Sequence, residues 1–294
     1  MLQSASTDNC KSRPGCEVKF SWRGDSSCQA ILCVTPSDTL AFVLSHDVVV
    51  EITLNKHIRV CRIGGVAATI CNGGRVAAVH HPSVEIVQQE TQVLLDMAQG
   101  PRVRATSDTV HVREVNKSDP PTRVHSLTKD ELITHENLSA ATDKFCLRRD
   151  IDATVALFLD DAGSDDVLGV YSDKRERCML AARQAVVDQK GNQLSAIIQG
   201  VKVKHDMDNG DTRIYCGRNF ISLRATTYAL TLHSPWIDIN VDRYQCTRLR
   251  RGEQVIESSK NRLQVIQNKM HADFALNPPE STGDLPSSNE AEKR

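Results

Sequence analysis

The sequence predicts a mainly β protein: two antiparallel β-meander domains with a few peripheral helices and disordered termini. Three observations carry this. Short runs of β-branched and apolar residues recur along most of the chain, separated by Gly, Asn, Asp and Pro clusters. The stretch from Val201 to Val241 shows the pattern most clearly, with breaks at Asn209-Gly210, Gly217-Arg218-Asn219 and Ser234-Pro235. Both ends of the chain lack any such pattern.

Residues 1–15 are polar and without periodicity, and read as a disordered arm. The first meander spans 16–113. Its expected strands are Glu17 to Trp22, Cys28 to Val34, Thr39 to Leu44, Val48 to Leu54, Ile58 to Arg62 and Val66 to Cys71. They continue with Arg75 to Val79, Ser83 to Val87, Thr91 to Asp96, Arg102 to Ala105 and Thr109 to Arg113. The turns between them carry residues that tolerate a positive φ or preset a bend, such as Pro36-Ser37-Asp38 and Asn72-Gly73-Gly74. Arg23-Gly24-Asp25 is read as one of these turns and not as an integrin motif.

Residues 114–150 read as a linker and a helix. The segment around Pro120-Pro121 is polar and proline-paired. Thr128, followed three residues later by Glu131, has capping-box form and predicts a helix to about Phe145. The second meander spans 151–270. It opens with an expected strand from Asp152 to Leu159, an acidic loop from Asp160 to Asp166 and a returning strand from Val167 to Tyr171. Cys178 to Asp188 fits helix or strand, because Met, Leu and Ala favour one and the flanking turn signals the other. Within the meander Tyr228, Leu230 and Leu232 share a face, as do Ile237, Ile239 and Val241. Glu253 to Met270 is expected to be a closing helix with Ile256, Leu263, Ile266 and Met270 on one face. Residues 271–294 read as a disordered tail.

The turn at Asn72-Gly73 is followed by strands at Arg75, Val84 and Thr91, and the turn at Asn209-Gly210 by strands at Thr212, Phe220 and Tyr228. The residues leave open whether this echo is a duplication or two similar meanders. The repeated phrase of Asn-Gly turn, Arg-bearing strand and short apolar strands resembles the meanders of polo-box-like and ciliary scaffold proteins.

Composition excludes some classes of function. Thirty-six basic and thirty-seven acidic residues leave a formal net charge of −1, so no global field draws the chain to nucleic acid or anionic lipid. No apolar run approaches the roughly 20 residues of a membrane span. The opening residues have no signal-peptide core, so the expected compartment is intracellular, cytoplasmic in preference to nuclear. The ten cysteines are scattered without a C-x-x-C pair and read as packed thiols, and the sequons at Asn116 and Asn137 as unmodified.

Candidate chemistry is sparse. Cys61, Cys71, His80 and His81 fall within one short segment, but the cysteines are too far apart for a zinc knuckle, and adjacent histidines on a strand face opposite ways. Asp206 to Asp211 superficially matches half of an EF-hand loop, yet Gly217 stands where its bidentate Glu belongs, so the segment reads as a hairpin turn. No G-x-S-x-G, Walker A, G-x-G-x-x-G or H-E-x-x-H motif is present. No catalytic, cofactor-binding or metal-binding residue is therefore assigned, and no enzyme activity is expected.

Basic clusters occur at Arg148-Arg149, Lys174-Arg175-Glu176-Arg177 and Arg248-Leu249-Arg250-Arg251, with Tyr215, Trp236 and Tyr244 as the aromatics near a cluster. The expected function is that of a non-catalytic intracellular scaffold, binding a protein partner through sheet edges or a groove between the domains. The alternative is a single-stranded nucleic-acid-binding β-barrel using Arg248, Arg250 and Arg251.

Overall fold

A computed structural model describes residues 19–23, 29–98, 100–113, 123–128, 130–136, 153–163, 171–260 and 262–275. The described chain is mostly β, arranged as two antiparallel meanders with two helices between them. The first sheet has thirteen strands in sequence order: β1 (Lys19–Arg23), β2 (Gln29–Val34), β3 (Leu40–Val43), β4 (Val48–Ile52), β5 (Ile58–Arg62), β6 (Val66–Cys71), β7 (Val76–His81), β8 (Val84–Gln89), β9 (Gln92–Met97), β10 (Arg102–Ala105), β11 (Val110–Arg113), β12 (Arg123–Leu127) and β13 (Leu132–Glu136). Helices α1 (Ala153–Gly163) and α2 (Tyr171–Arg183) follow. The second sheet has eleven strands: β14 (Val186–Lys190), β15 (Gln193–Ile198), β16 (Val201–Asp206), β17 (Thr212–Cys216), β18 (Asn219–Leu223), β19 (Leu230–His233), β20 (Asp238–Val241), β21 (Thr247–Arg251), β22 (Gln254–Ser259), β23 (Arg262–Gln267) and β24 (Met270–Ala275).

Strand alternation dictates the layering. In β4, Val48, Val50 and Ile52 are buried while Val49 and Glu51 are half-exposed; in β16, Val201, Val203 and His205 are buried while Lys202 and Lys204 face out. The buried rows of both sheets form one hydrophobic cluster, from Leu32 and Phe42 in the first to Ile239 and Val265 in the second. The meanders are thus two layers sharing a core, and apolar side chains fill the space between them.

The layers are stacked in register. Ser45, after β3, meets His205 at the end of β16, with Oγ 2.7 Å from Nε2. Ser234, after β19, donates to the Gly74 carbonyl after β6 at 3.1 Å. Arg251 at the end of β21 donates to the Thr91 carbonyl after β8 at 2.5 Å, and Gln267 at the end of β23 to the Ser107 carbonyl after β10 at 3.4 Å. Each contact joins residues 160 positions apart and strands thirteen apart in order. The echo between Asn72 and Asn209 has a different spacing, 209 − 72 = 137, so those two turns are not stacked on one another.

The helices differ in what they cover. Strand β6 is buried on both faces, because α1 lies on its outer side. Ala67, Thr69 and Ala78 are small enough for this approach, and Thr69 Oγ1 donates to the Thr154 carbonyl at 3.0 Å. Phe158 supplies the buried bulk of α1. In α2, Cys178, Ala181 and Ala182 reach the shared core, and Arg175 pairs with Asp38 at 3.4 Å in the β2–β3 turn. The Cys178 thiol donates to the Asp38 carbonyl at 3.0 Å and is pushed up to about 11, first by burial and then by the Asp38 charge. Alkylation of Cys178 at neutral pH is therefore expected only under unfolding conditions, which peptide mapping after iodoacetamide treatment would read; native labelling would contradict its placement.

Four sequence expectations are corrected. The helix expected from Thr128 onward is replaced at Leu132–Glu136 by β13, which together with β12 extends the first sheet. The strand from Asp152 to Leu159 is helical from Ala153, and α1 continues through Asp160 and Asp161 of the expected acidic loop. Tyr171, expected to end a strand, opens α2, while residues 167–170 of that strand lie outside the described residues; Cys178 to Asp188, left open between helix and strand, divides between α2 and β14. The closing helix from Glu253 to Met270 is replaced by β22 and β23, and Met270 opens β24. The expected N-terminal arm, Arg148-Arg149 and most of the expected tail lie outside the described residues.

Candidate protein-docking edge

The sequence of β14, Val-Val-Asp-Gln-Lys, has only two apolar residues, and only Val187 is partly covered. The strand hydrogen-bonds to β15 and, among the described residues, forms the first edge of its sheet. An edge strand presents a row of unpaired N–H and C=O groups. Antiparallel pairing places Val186 opposite Ile197, and because Ala196 and Ile198 face the core, Val186 and Ile197 lie on the outer face.

Helix α2 runs directly into this edge. Arg177, Leu180 and Ala181 lie along one side of the helix, and Gln184, just past its end, continues that side with its backbone N–H donating to the Leu180 carbonyl at 3.0 Å. Together with Leu54, Val186, Ile197, Gln199 and Gly200 they line a groove of about 380 Å³. Leu180 is 53% exposed, Val186 57% and Ile197 47%, which makes this a cluster of solvent-facing aliphatic side chains beside an open edge. The rim is basic: Arg177 lines the groove, Lys202 pairs with Ile197 across the ladder, and the Lys56 ammonium approaches Gly200. Asp188 of the edge strand is bridged by Lys190 at 3.6 Å.

The three arginines singled out in the sequence do not act together. Arg248 and Arg250 point to the outer face of the second sheet, where Arg248 is bound to Glu257 at 3.1 Å. Arg251 turns toward the first sheet and is spent on the Thr91 carbonyl. In the Cys61 to His81 segment, Cys61 and His80 flank Ala67 in the ladder on the outer face, one strand to either side of it. His81 is buried on the inner face with Nδ1 2.6 Å from Ser83 Oγ, and burial, then His80, lowers its pKa. Among the described residues no group of three or more His, Cys, Asp or Glu is placed to hold a metal ion. Asp206 to Asp211 is the β16–β17 hairpin turn, with Asp206 Oδ1 accepting from the Asp208 amide at 3.0 Å. Ser45 and His205 form a hydroxyl–imidazole pair, but His205 is 1% exposed and sealed in the core. No described helix is long and apolar enough to cross a membrane.

The sequence reading missed Leu180, Val186 and Ile197. Their signal is faint: an apolar side chain on the polar face of an amphipathic element is visible only once the helix–strand boundary near Gln184 is known.

A family model described as "Domain of unknown function (DUF8796)" matches residues 30–272. No curated protein matches the chain. Among solved structures, the wild-type TCP10 domain of Danio rerio CPAP is 11% identical, with 78% of this chain and 99% of that one covered and a TM-score of 0.26. The same domain in complex with a peptide of Danio rerio STIL is 8% identical, with 86% and 98% covered and a TM-score of 0.20. TM-scores this low do not establish a shared fold.

Proposed function

We propose that the chain, which belongs to the family of the domain of unknown function DUF8796, is a non-catalytic intracellular protein-interaction module that binds an extended segment of a partner protein along β14. The observation that carries the reading is the open strand edge lying beside the exposed Leu180, Val186 and Ile197. An extended segment adds a strand through main-chain hydrogen bonds, and its alternate side chains reach the groove, which is where specificity arises. The basic rim of Arg177, Lys56 and Lys202 selects a segment that interleaves apolar with acidic residues.

The test is selection from a random peptide display library on the folded protein. The expected winners are short sequences with apolar residues at alternate positions and acidic residues between them. Ile197→Glu is expected to weaken their binding at least about tenfold while leaving the thermal midpoint nearly unchanged, since Ile197 is an exposed surface position. Peptides that bind the variant as well as the parent, or a library that yields none, would remove the groove as the docking site.

A further inference from the structure

We propose that the outer face of the second sheet holds a site for a phosphate monoester carried on a serine or threonine of a partner protein, centred on Ser222, Thr231 and Asn240. This inference does not rest on the β14 reading, since the two sites lie on different strands.

The site is a product of register. Ser222 of β18 pairs with Thr231 of β19, and Thr231 with Asn240 of β20, so a hydroxyl, a hydroxyl and an amide lie in one outward row across three adjacent strands. Strand spacing of about 4.8 Å sets Ser222 and Asn240 about 10 Å apart at the backbone, so the proposed anion sits over Thr231, one strand spacing from each of them. Thr231 Oγ1 donates to Asn240 Oδ1 at 2.9 Å, which fixes the amide and leaves its NH₂ group as donor. Arg224, after β18, and Asp242 and Arg243, after β20, lie along one side of this row and complete a cavity of about 290 Å³. Ala229 is the sole aliphatic residue lining that cavity.

Charge around the row is predominantly positive. Arg213 is the ladder neighbour of Ser222, and Arg248 that of Asn240. Glu257 cancels the Arg248 charge in an ion pair at 3.1 Å, and Asp242, which lines the cavity, has Oδ1 turned to the backbone N–H groups of Tyr244 and Cys246 at 2.8 and 2.9 Å, which leaves Arg213, Arg224 and Arg243 against one carboxylate. Guanidinium groups bind phosphate in a bidentate fork, and the Ser222 hydroxyl and the Asn240 NH₂ group are the neutral donors that complete the oxygen shell of a dianion, the Thr231 hydrogen being used to orient Asn240. A nucleic-acid strand is a poorer occupant. Tyr244 is the aromatic of the cavity, and Arg243 covers one face of its ring, with Cζ 4.6 Å from the centroid, and donates to its hydroxyl, which takes that face from a stacking base.

The probe is a short peptide with one phosphoserine flanked by glycines, titrated into isotope-labelled protein and followed by amide chemical shifts. Expected are shifts at Ser222, Thr231 and Asn240 that the unphosphorylated peptide does not cause, and weakening below about pH 6 as the phosphate loses its second charge. Arg224→Ala and Arg243→Ala each lower the affinity at least about tenfold, the loss of one charge-assisted contact, whereas Arg250→Ala on the neighbouring row leaves it unchanged. Shifts that the unphosphorylated peptide reproduces, no shifts at millimolar peptide, or an equal loss in Arg250→Ala would overturn the proposal. Tighter binding of a single-stranded oligonucleotide, abolished by Arg248→Ala, would overturn it in favour of nucleic acid.

Discussion

Gly210→Ala is expected to destabilise the protein by about 3 kcal/mol, far more than the loss of a glycine from an ordinary turn. Gly210 sits in the left-handed region at φ +75°, where a side chain costs about 1 kcal/mol or more. An added Cβ would also stand 2.6 Å from Ala225 Cβ and 2.7 Å from His46 Cβ. Both of those atoms are fixed to backbone, so relief requires moving the β3–β4 turn of the first sheet or the segment after β18, at a cost of about 1–3 kcal/mol. Gly217→Ala is the matched control, because Gly217 has φ +60° with nothing within 4 Å of its Cβ position. It should show the conformational part alone, about 1 kcal/mol. Urea denaturation of the two variants, at unchanged m-value, reads the difference. Equal losses would mean that the two sheets do not press together at this turn.

The middle of each sheet was legible in sequence because its turns use residues that announce themselves. Asn72-Gly73-Gly74, Gly64-Gly65 and Pro36-Ser37-Asp38 interrupt the alternation, and β2 to β11 begin and end close to where those breaks place them. The β23–β24 hairpin turns instead on Asn268 at φ 47° and Lys269 at φ 74°, and a lysine in that conformation gives no warning. The interval between β22 and β23, Lys260-Asn261, holds no glycine or proline either, so in sequence Ile256, Leu263 and Ile266 fit a helical face as well as they fit two strands. The Thr128 error is of another kind. The hydroxyl does what a helix cap does, accepting from the Asp130 and Glu131 amides at 3.4 and 3.3 Å, but it closes the β12–β13 hairpin. A capping motif is a local hydrogen-bond pattern, and the strand pairing around it decides which element it ends. The docking groove depended on the same kind of ambiguity, since Leu180 and Val186 become neighbours only when α2 stops and β14 begins. The row of Ser222, Thr231 and Asn240 needed the strand register, which no pattern within one strand contains.

The pH dependence of stability offers the second large effect, and it centres on His205. Its Nδ1 lies 2.8 Å from Thr212 Oγ1, and that hydroxyl donates to the Gly210 carbonyl at 3.1 Å, so it accepts from the ring. Nε2 is left as acceptor for Ser45 Oγ at 2.7 Å. Burial favours the neutral form of this ring, which links the two layers. Burial, and then the neighbouring His46, drive its pKa down to about 4 from the usual 6.5, against a smaller opposing pull from Asp206. The unfolded chain binds this proton first, so His205 contributes its full stabilisation above pH 6.5 and loses it as the pH falls toward 4. At 1.36 kcal/mol per unit the loss across that window is about 3 kcal/mol. His81, lowered in the same direction, adds a smaller slope of the same sign. Urea midpoints measured from pH 7 to pH 4.5 should therefore fall steeply in the parent and much less in His205→Gln, where the His81 contribution remains. Parallel curves for the two proteins would show that His205 takes up its proton in the folded state as readily as in the unfolded chain, and the interlayer link would then not depend on a neutral ring.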